Sequence, residues 1–147
     1  MDTLPFQIAE TAHALRRAFD RRATGLGVTR AQWKVMFRLD RSPGLRQVEL
    51  ADMLDIEPIT LCRIIDRLEE SGLVERRGDP TDRRAWLLYL ADSARPLKAK
   101  LDALGDAMIA EAFAGIDPAD LEQMKTIMAR VRDNVGRGSV QPKASNQ

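Results

Sequence analysis

Arginine supplies most of the positive charge that this sequence can use for chemistry. Of the 23 basic residues 18 are arginine, while the net charge is only +1 and indicates no particular partner. The guanidinium group is planar and donates paired hydrogen bonds that suit phosphates and the edges of bases. Residues 16–46 hold nine basic side chains against two acidic ones. We expect this stretch to face an anion, with a merely solvated helix surface as the alternative.

Two small groups of polar residues have the spacings of a helix face and of a strand face. Thr60, Arg63 and Arg67 stand at i, i+3 and i+7, which is one face of a helix. Asp82 and Arg84 stand two apart, so on an extended strand both side chains leave from the same side. The Asp82 carboxylate is then expected to hold the Arg84 guanidinium by a charge-assisted hydrogen bond and to aim it outward.

Acidic neighbours offer these arginines other partners. On a helix Arg63 and Arg67 can pair with nearby carboxylates of the same helix. These carboxylates are Asp66, Glu69 and Glu70. In the second group Arg84 can pair with Asp79 or Asp82 as an ordinary surface charge.

The first group falls in a pattern of two short helices joined by a tight turn. Apolar residues recur at three- and four-residue steps in Gln47–Leu54 and again in Pro58–Glu70. The connection, residues 55–57, has room only for a turn, and Gly72 closes the second helix. Two short helices so joined form a helix-turn-helix.

The second group falls in a predicted β-hairpin. Residues 73–77 and 85–90 are rich in strand formers, and residues 78–82 between them are turn formers. A helix-turn-helix followed by a hairpin is a winged helix. The predicted fold class is therefore mainly α with a small β-hairpin wing.

Longer helices are predicted on both sides of this module. Residues 4–23 carry an apolar stripe, and Thr29 with Gln32 forms a capping box at the start of another helix. A third helix is expected to be capped by Asp92 or Ser93. A fourth opens at Asp117-Pro118 and carries a heptad seam. The seam residues are Leu121, Met124, Met128, Val131 and Val135.

The winged helix is complete without the terminal helices, so we expect these helices to pack against a second copy of the chain. A monomer whose terminal helices cover its own core is the alternative. The predicted parts are an N-terminal dimerisation helix at 1–28, a winged helix-turn-helix at 29–91, dimerisation helices at 92–135 and a disordered polar tail at 136–147.

Five motifs lie in a fixed order across residues 5–135. They are TRAQW at 29–33, QVELA at 47–51, ITLCRIIDRLE at 59–69, SGLVER at 71–76 and DPTDRRAWLLYL at 79–90. With this order and spacing the sequence resembles the MarR family of winged-helix transcription regulators. Glu57 and the Arg83-Arg84-Ala85 run look closest to the SlyA branch. Asp92 stands near a position where the family usually has threonine, and it can take over the capping role.

The resemblance implies double-stranded DNA as the partner, bound by a homodimer at a pseudo-palindromic operator. The second helix of a helix-turn-helix enters the major groove, so Arg63 is expected to recognise guanine, and Pro58 and Thr60 a thymine methyl or a phosphate. Arg84, positioned by Asp82, is expected to enter the minor groove. The remaining expected DNA contacts are Arg46, Gln47, Arg67, Arg77 and Arg83.

The resemblance also implies a repressor that is released by a small aromatic acid or another lipophilic anion. Arginine beside an aromatic wall suits a carboxylated ring. In this sequence the expected lining is His13, Arg16, Arg17, Trp33 and Phe37. The alternative is that Trp33 and Phe37 are core residues and His13 an ordinary surface residue.

Other classes of function are disfavoured. The sequence has no nucleophile motif and no phosphate-binding loop, so neither an enzyme nor a cofactor is expected. One histidine and one cysteine do not build a metal site. Cys62 is expected to be a small half-buried residue rather than a redox sensor. A winged helix used only for protein contacts would carry an apolar or acidic recognition face, which Arg63 and Arg67 contradict.

The expected location is the cytoplasm, away from any membrane. No apolar run approaches the length of a membrane span, and the N-terminus is acidic where a secretory signal would be basic.

Overall fold

The order of helices and strands is that of a winged helix flanked by longer helices. The computed structural model describes residues 2–137. Its elements are α1 (Leu4–Thr24), α2 (Arg30–Arg41), β1 (Leu45–Arg46), α3 (Gln47–Leu54), α4 (Pro58–Glu70), β2 (Val74–Asp79), β3 (Asp82–Leu90), α5 (Arg95–Ala112) and α6 (Pro118–Arg137). The chain divides after Ala112 into two units, the first with α1–α5 and the sheet, the second with α6. The predicted fold class is confirmed.

The helix-turn-helix consists of α3 and α4, joined as the sequence indicates by a three-residue turn. Asp55 enters the left-handed region with φ 53°, a conformation that a short polar side chain tolerates better than most. The Ile56 N–H donates to the carbonyl oxygen of Ala51 at 3.1 Å and ends α3. Pro58 opens α4, where its fixed φ suits the first helical position.

The wing is longer and tighter than the sequence indicates. The predicted turn at 78–82 shrinks to Pro80 and Thr81, because β2 and β3 pair again at Asp79 and Asp82 after a register shift beyond Gly78 and Trp86. The Thr81 N–H and hydroxyl both donate to Oδ1 of Asp79, at 2.9 and 2.7 Å, and so close the two-residue loop. The antiparallel sheet has the order β1-β3-β2, with Leu45 opposite Leu88. A two-residue strand such as β1 has no periodic pattern by which sequence reasoning can find it.

One aliphatic core joins α2, α3, α4, the sheet and α5. Its largest fully buried side chains come from each of these elements, so that no layer of the first unit is independent of the others. They are Met36, Leu39, Leu50, Leu61, Ile65, Leu68, Leu88, Leu101, Val35 and Val74. This core holds the inner face of α4 in place and leaves its other face in solvent.

Helix α1 packs on α2 through three aromatic rings. Phe19, Trp33 and Phe37 meet edge to face, with ring centroids 4.8 to 5.8 Å apart. The Trp33 indole N–H donates to Asp20 at 2.8 Å, and Arg30 donates to the same carboxylate at 2.6 Å. Burial raises the pKa of Asp20, but these hydrogen bonds outweigh burial and leave the pKa below its ordinary value. Trp33 and Phe37 are partly buried and pack against the core.

Helix α5 is joined to α2 by a buried lysine. Lys98 is only 6% exposed and contacts Asp102 at 2.6 Å and Asp40 at 3.3 Å. Arg95 reaches the other oxygen of Asp40 at 2.6 Å, and this hydrogen bond is the main reason that the pKa of Asp40 is lowered. The Lys98 ammonium also lies 4.6 Å from the centre of the Phe37 ring.

The start of α5 differs from the prediction. A 3₁₀ turn occupies Asp92–Ala94, and α5 begins at Arg95. Neither Asp92 nor Ser93 caps α5, because the Ser93 hydroxyl donates instead to the carbonyl of Gly72.

Helix α6 begins where the sequence places it, with Asp117 accepting from the Ala119 N–H at 2.9 Å. It continues to Arg137, two residues into the segment predicted to be a tail. The rest of that segment, residues 138–147, lies outside the described residues. Across residues 2–137, no helix is both long and apolar enough to cross a membrane.

Two apolar residues of α4 allow a matched test of this packing. Leu61 is fully buried and Ile59 is 66% exposed on the same helix. We expect Leu61→Ala to lower the free energy of unfolding by about 2–5 kcal/mol, because it leaves a cavity in the core. Ile59→Ala should change it by no more than about 0.5 kcal/mol. Urea unfolding followed by circular dichroism measures both, and equal losses would contradict the placement of α4.

Candidate nucleic-acid interface

The outer face of α4 is polar and basic. Leu61, Ile65 and Leu68 are buried on the inner face, while Thr60, Arg63 and Arg67 are exposed on the other. The three exposed residues line a shallow depression of about 220 Å³ together with Ile64. Pro58 is exposed at the N-terminal end of the same helix. The i, i+3, i+7 spacing thus gives the shared face that the sequence predicts.

Two of the three carboxylates that were alternative partners for these arginines are held elsewhere. Asp66 and Glu69 bind Arg76, which reaches across from β2, at 2.7 and 3.2 Å. Within residues 2–137 neither Arg63 nor Arg67 forms an ion pair. The alternative in which Asp66 and Glu69 neutralise the recognition arginines is therefore wrong.

Arg76 makes contacts at the candidate interface that sequence reasoning missed. Its side chain is 14% exposed, and it also donates to the carbonyl of Cys62 at 3.4 Å. Burial alone lowers the pKa of Arg76, but the Asp66 carboxylate more than compensates and the net pKa is raised. The available signal was strand alternation, since Arg76 shares the inward face of β2 with the buried Val74.

The wing tip presents two unpaired arginines, but not by the contact that was expected. Asp82 accepts from the backbone N–H of Arg84 at 2.9 Å and does not bind the guanidinium. The prediction of a side-chain pair is wrong. A short aspartate side chain readily accepts a hydrogen bond from the backbone N–H two residues further on, and here this contact forms in place of one with the Arg84 guanidinium. In the described chain neither Arg83 nor Arg84 forms an ion pair, so the alternative pairing of Arg84 with Asp79 is also wrong.

The other predicted contact arginines are already engaged with the protein. Arg46, just before α3, binds Asp79 at 2.9 Å. Arg77 binds Glu75 at 3.0 Å and lies 4.1 Å above the ring of Tyr89. Both remain largely exposed, with 44% and 59% of the side chain accessible, so each can still meet a phosphate.

Asp79 links the wing loop to Arg46 through its charge. The Thr81 hydrogen bonds, followed by Arg46, lower the pKa of Asp79 below its ordinary value. A group with a lowered pKa stabilises the fold above its ordinary pKa, and the effect is lost as the pH falls through the lowered value. The loop is therefore in its fully stabilised state at neutral pH.

A depression of about 420 Å³ separates α4 from the wing. It is lined by Gln47, Cys62, Asp66, Glu69, Arg76 and Trp86. Gln47 is the first residue of α3 and so lies beside the arginines of the interface. Cys62 is half-buried, as expected, with its thiol 3.8 Å from the Arg76 guanidinium.

Only part of the predicted ligand lining comes together. Trp33 and Phe37 line a cleft of about 310 Å³. The other lining residues come from α2 and the end of α3 rather than from α1. They are Lys34, Arg38, Arg41, Met53, Leu54 and Asp55. His13 and Arg17 are exposed and Arg16 is half-buried on α1. The five-residue set remains a prediction.

Comparison with known proteins agrees with this geometry. The model of the MarR family matches residues 28–86. A crystal structure described as transcriptional regulator PA3341 is 32% identical, covers 92% of this chain and 99% of its own, and gives a TM-score of 0.83. MarR from E. coli in its apo form is 23% identical, over 89% of this chain and 97% of its own, with a TM-score of 0.78. The transcriptional regulator SlyA, also 23% identical, covers 93% and 96% with a TM-score of 0.77.

The contact of Arg76 with α4 can be tested through DNA binding. We expect Arg76→Gln to weaken DNA affinity by roughly tenfold, or about 1.4 kcal/mol, because Asp66 becomes free to pair with Arg63, three residues before it, and the Glu69 carboxylate is left uncompensated on the same helix. Adding Asp66→Asn and Glu69→Gln to Arg76→Gln should restore much of the affinity, which fluorescence polarisation measures. A triple variant no better than Arg76→Gln would show that Arg76 does not act by holding these carboxylates.

Proposed function

Because this chain belongs to the MarR family of transcription regulators, we propose that it binds a pseudo-palindromic operator as a homodimer and represses transcription. Members of the family are DNA-binding regulators and not enzymes. The winged helix supplies the DNA-binding module, and a chromosomal partner implies a cytoplasmic location.

One observation carries the proposal: four arginines of the interface are unpaired although acidic residues surround them. They are Arg63 and Arg67 on α4 and Arg83 and Arg84 at the wing tip, and within residues 2–137 none of them forms an ion pair. Unpaired guanidinium groups on an exposed surface are available to phosphates and base edges. Charges used only for stability would pair with the nearby carboxylates.

The two groups suit different grooves of DNA. Arg63, with Pro58 and Thr60 before it, lies in the N-terminal half of α4, the part of a recognition helix that meets base edges in the major groove. Arg84 extends from a thin two-stranded wing, a shape that fits the minor groove, where narrow regions attract arginine.

The remaining contacts have supporting roles. Arg67, Arg83, Arg77, Arg46 and Gln47 are proposed to contact phosphates, which fix the orientation of the protein on the duplex. Asp82 is proposed to act indirectly, because its bond to the Arg84 N–H fixes the backbone at the wing tip.

Exposed apolar residues support the homodimer. At the start of α1 they are Leu4, Phe6 and Ile8, which are 37–70% exposed. In α6 the seam residues Met124, Val131 and Val135 are 41–70% exposed. Apolar stripes of this kind are usually covered by a partner helix. A two-fold dimer would read half-sites whose centres are about 10 bp apart.

Release by a small lipophilic anion is the proposed mode of regulation. It is supported by the aromatic residues of α2 beside basic side chains. A regulator with no small-molecule effector, or one that acts through protein contacts, is the alternative.

Arginine substitutions test the DNA-binding roles. We expect Arg63→Ala to cost about 1–3 kcal/mol of binding and to relax specificity at one base pair. Arg84→Ala should weaken binding and lower the slope of log affinity against log salt by about 1. Selection from a random DNA pool and polarisation titrations at several salt concentrations measure these effects. Arg130→Ala in α6 is the matched control. Binding that is insensitive to salt and to both interface changes would refute the proposal.

Substitutions in α6 test the homodimer. Sedimentation should give a species of twice the 16.5 kDa of one chain at micromolar concentration. We expect Val131→Glu to shift this species toward the monomer, because it buries a charge in the seam. Thr126→Glu places the same charge away from the seam and should leave the dimer intact. A wild-type chain that sediments at 16.5 kDa contradicts the proposal.

A further inference from the structure

Trp86 is an exposed aromatic side chain on the helix-facing side of the wing. Two and four residues further along β3, Leu88 and Leu90 are buried, whereas Trp86 is 51% exposed. Alternation along a strand gives these three side chains the same face of the sheet. The face that is covered at the base of the hairpin is therefore open at Trp86.

The neighbouring strand leaves the Trp86 ring uncovered. Its partner in the register of β2 is Gly78, which has no side chain. A Cβ added at Gly78 would meet no atom within 4 Å, so the space beside the hairpin is open there. Trp86 also borders the depression of about 420 Å³ that separates α4 from the wing. A large apolar ring is thus exposed beside the recognition helix.

The contacts proposed for DNA place a backbone strand over this position. A sugar–phosphate strand separates the major groove from the minor groove beside it. If Arg63 on α4 reads the major groove and Arg84 enters the adjacent minor groove, the strand between the grooves must cross the gap between α4 and the wing tip. Trp86 stands two residues from Arg84 at the edge of this gap. This step rests on the proposed function.

The charges of the depression decide which part of the strand faces Trp86. Among the described residues that line it, Arg76 is the single cation, and Asp66 and Glu69 are carboxylates. Arg76 is committed to both of them, at 2.7 and 3.2 Å. One cation against two carboxylates leaves the lining with an excess of negative charge, which repels a phosphate but not a neutral deoxyribose. The C–H groups of the sugar also suit the apolar face of an indole.

We propose that Trp86 packs against a deoxyribose of the strand between the two grooves, and that this contact holds the wing on the duplex. The contact is uncharged and carries no base information. Sugar and phosphate contacts fix the orientation of a protein on DNA, whereas base contacts provide specificity. Trp86 therefore adds the same affinity to every DNA sequence.

Tryptophan fluorescence tests the contact directly, because the sequence has only two tryptophans. Trp33 is half-buried in α2, and the difference between wild type and Trp86→Phe isolates the emission of Trp86. The DNA is an operator duplex selected from a random pool. We expect a saturating duplex to lower the acrylamide quenching constant of Trp86 by roughly threefold or more, since a packed contact excludes solvent. The emission that remains in Trp86→Phe should not respond to DNA.

Polarisation titrations measure the effect on affinity. We expect Trp86→Ala to weaken binding roughly fivefold, equally for the operator and for a scrambled duplex, with an unchanged slope of log affinity against log salt. Trp86→Phe keeps an aromatic ring and should bind within about twofold of wild type. Arg84→Ala in the same wing is the matched contrast, because loss of a charged contact lowers the slope. Circular dichroism verifies that each variant folds.

Three results would overturn the proposal. A quenching constant that DNA leaves unchanged would show that Trp86 stays open in the complex. A lower salt slope in Trp86→Ala, with Trp86→Phe equally weak, would replace the sugar by a phosphate bound through the indole N–H. Protection of Trp86 that rises with protein concentration in the absence of DNA would assign this face to a second copy of the chain.

The same measurements keep this contact separate from the proposed function. If wild type binds DNA and Trp86 remains accessible to acrylamide, the contact is wrong and the proposed function stands. If wild type binds no duplex from the pool, the proposed function fails, and the contact fails with it.

Discussion

The ion pairs of Arg76 join the two parts of the candidate nucleic-acid interface. Arg76 extends from β2 of the wing and binds Asp66 and Glu69 of α4, so it links the two elements that are proposed to contact DNA. The half-buried guanidinium can leave this arrangement only by releasing both carboxylates. Asp66 would then be free to pair with Arg63, three residues before it, so the contact is proposed both to position the wing and to keep the outer face of α4 basic.

The separation of basic from acidic side chains in the folded chain explains how a segment with almost no net charge can attract DNA. Residues 57–84 hold six basic and seven acidic side chains, which cancel in any count over the segment. In the folded chain several of the acids have inward or local partners: Asp66 and Glu69 bind Arg76, Asp79 binds Arg46 and Thr81, and Asp82 binds a backbone N–H. Arginines remain at the outer edges. The electrostatic field therefore arises from placement rather than from net charge.

Sequence reasoning found the elements but not the contacts between them, for a physical reason. Helix periodicity and capping are local, so α4 and the Thr29 capping box appear in the pattern of residues. The partner of Arg76 depends on which helix lies across from β2, and the length of the wing depends on strand register. Both are set by tertiary packing. Asp82 shows the same limit on a smaller scale. The two-residue spacing places the side chains of Asp82 and Arg84 on one side of the strand, but it does not determine whether the Asp82 carboxylate binds the Arg84 guanidinium or the Arg84 backbone N–H.

Helix α2 is the element that connects the parts of the first unit. Phe37 lines the cleft toward α3 on one side and lies against the Lys98 ammonium of α5 on the other. Asp40, one turn further, binds both Lys98 and Arg95. Helix α2 therefore borders the helix-turn-helix at the cleft and is joined to α5 by a buried charge. Because a buried charge that loses a partner is costly, the ion pairs of Asp40 with Lys98 and Arg95 hold α2 and α5 together.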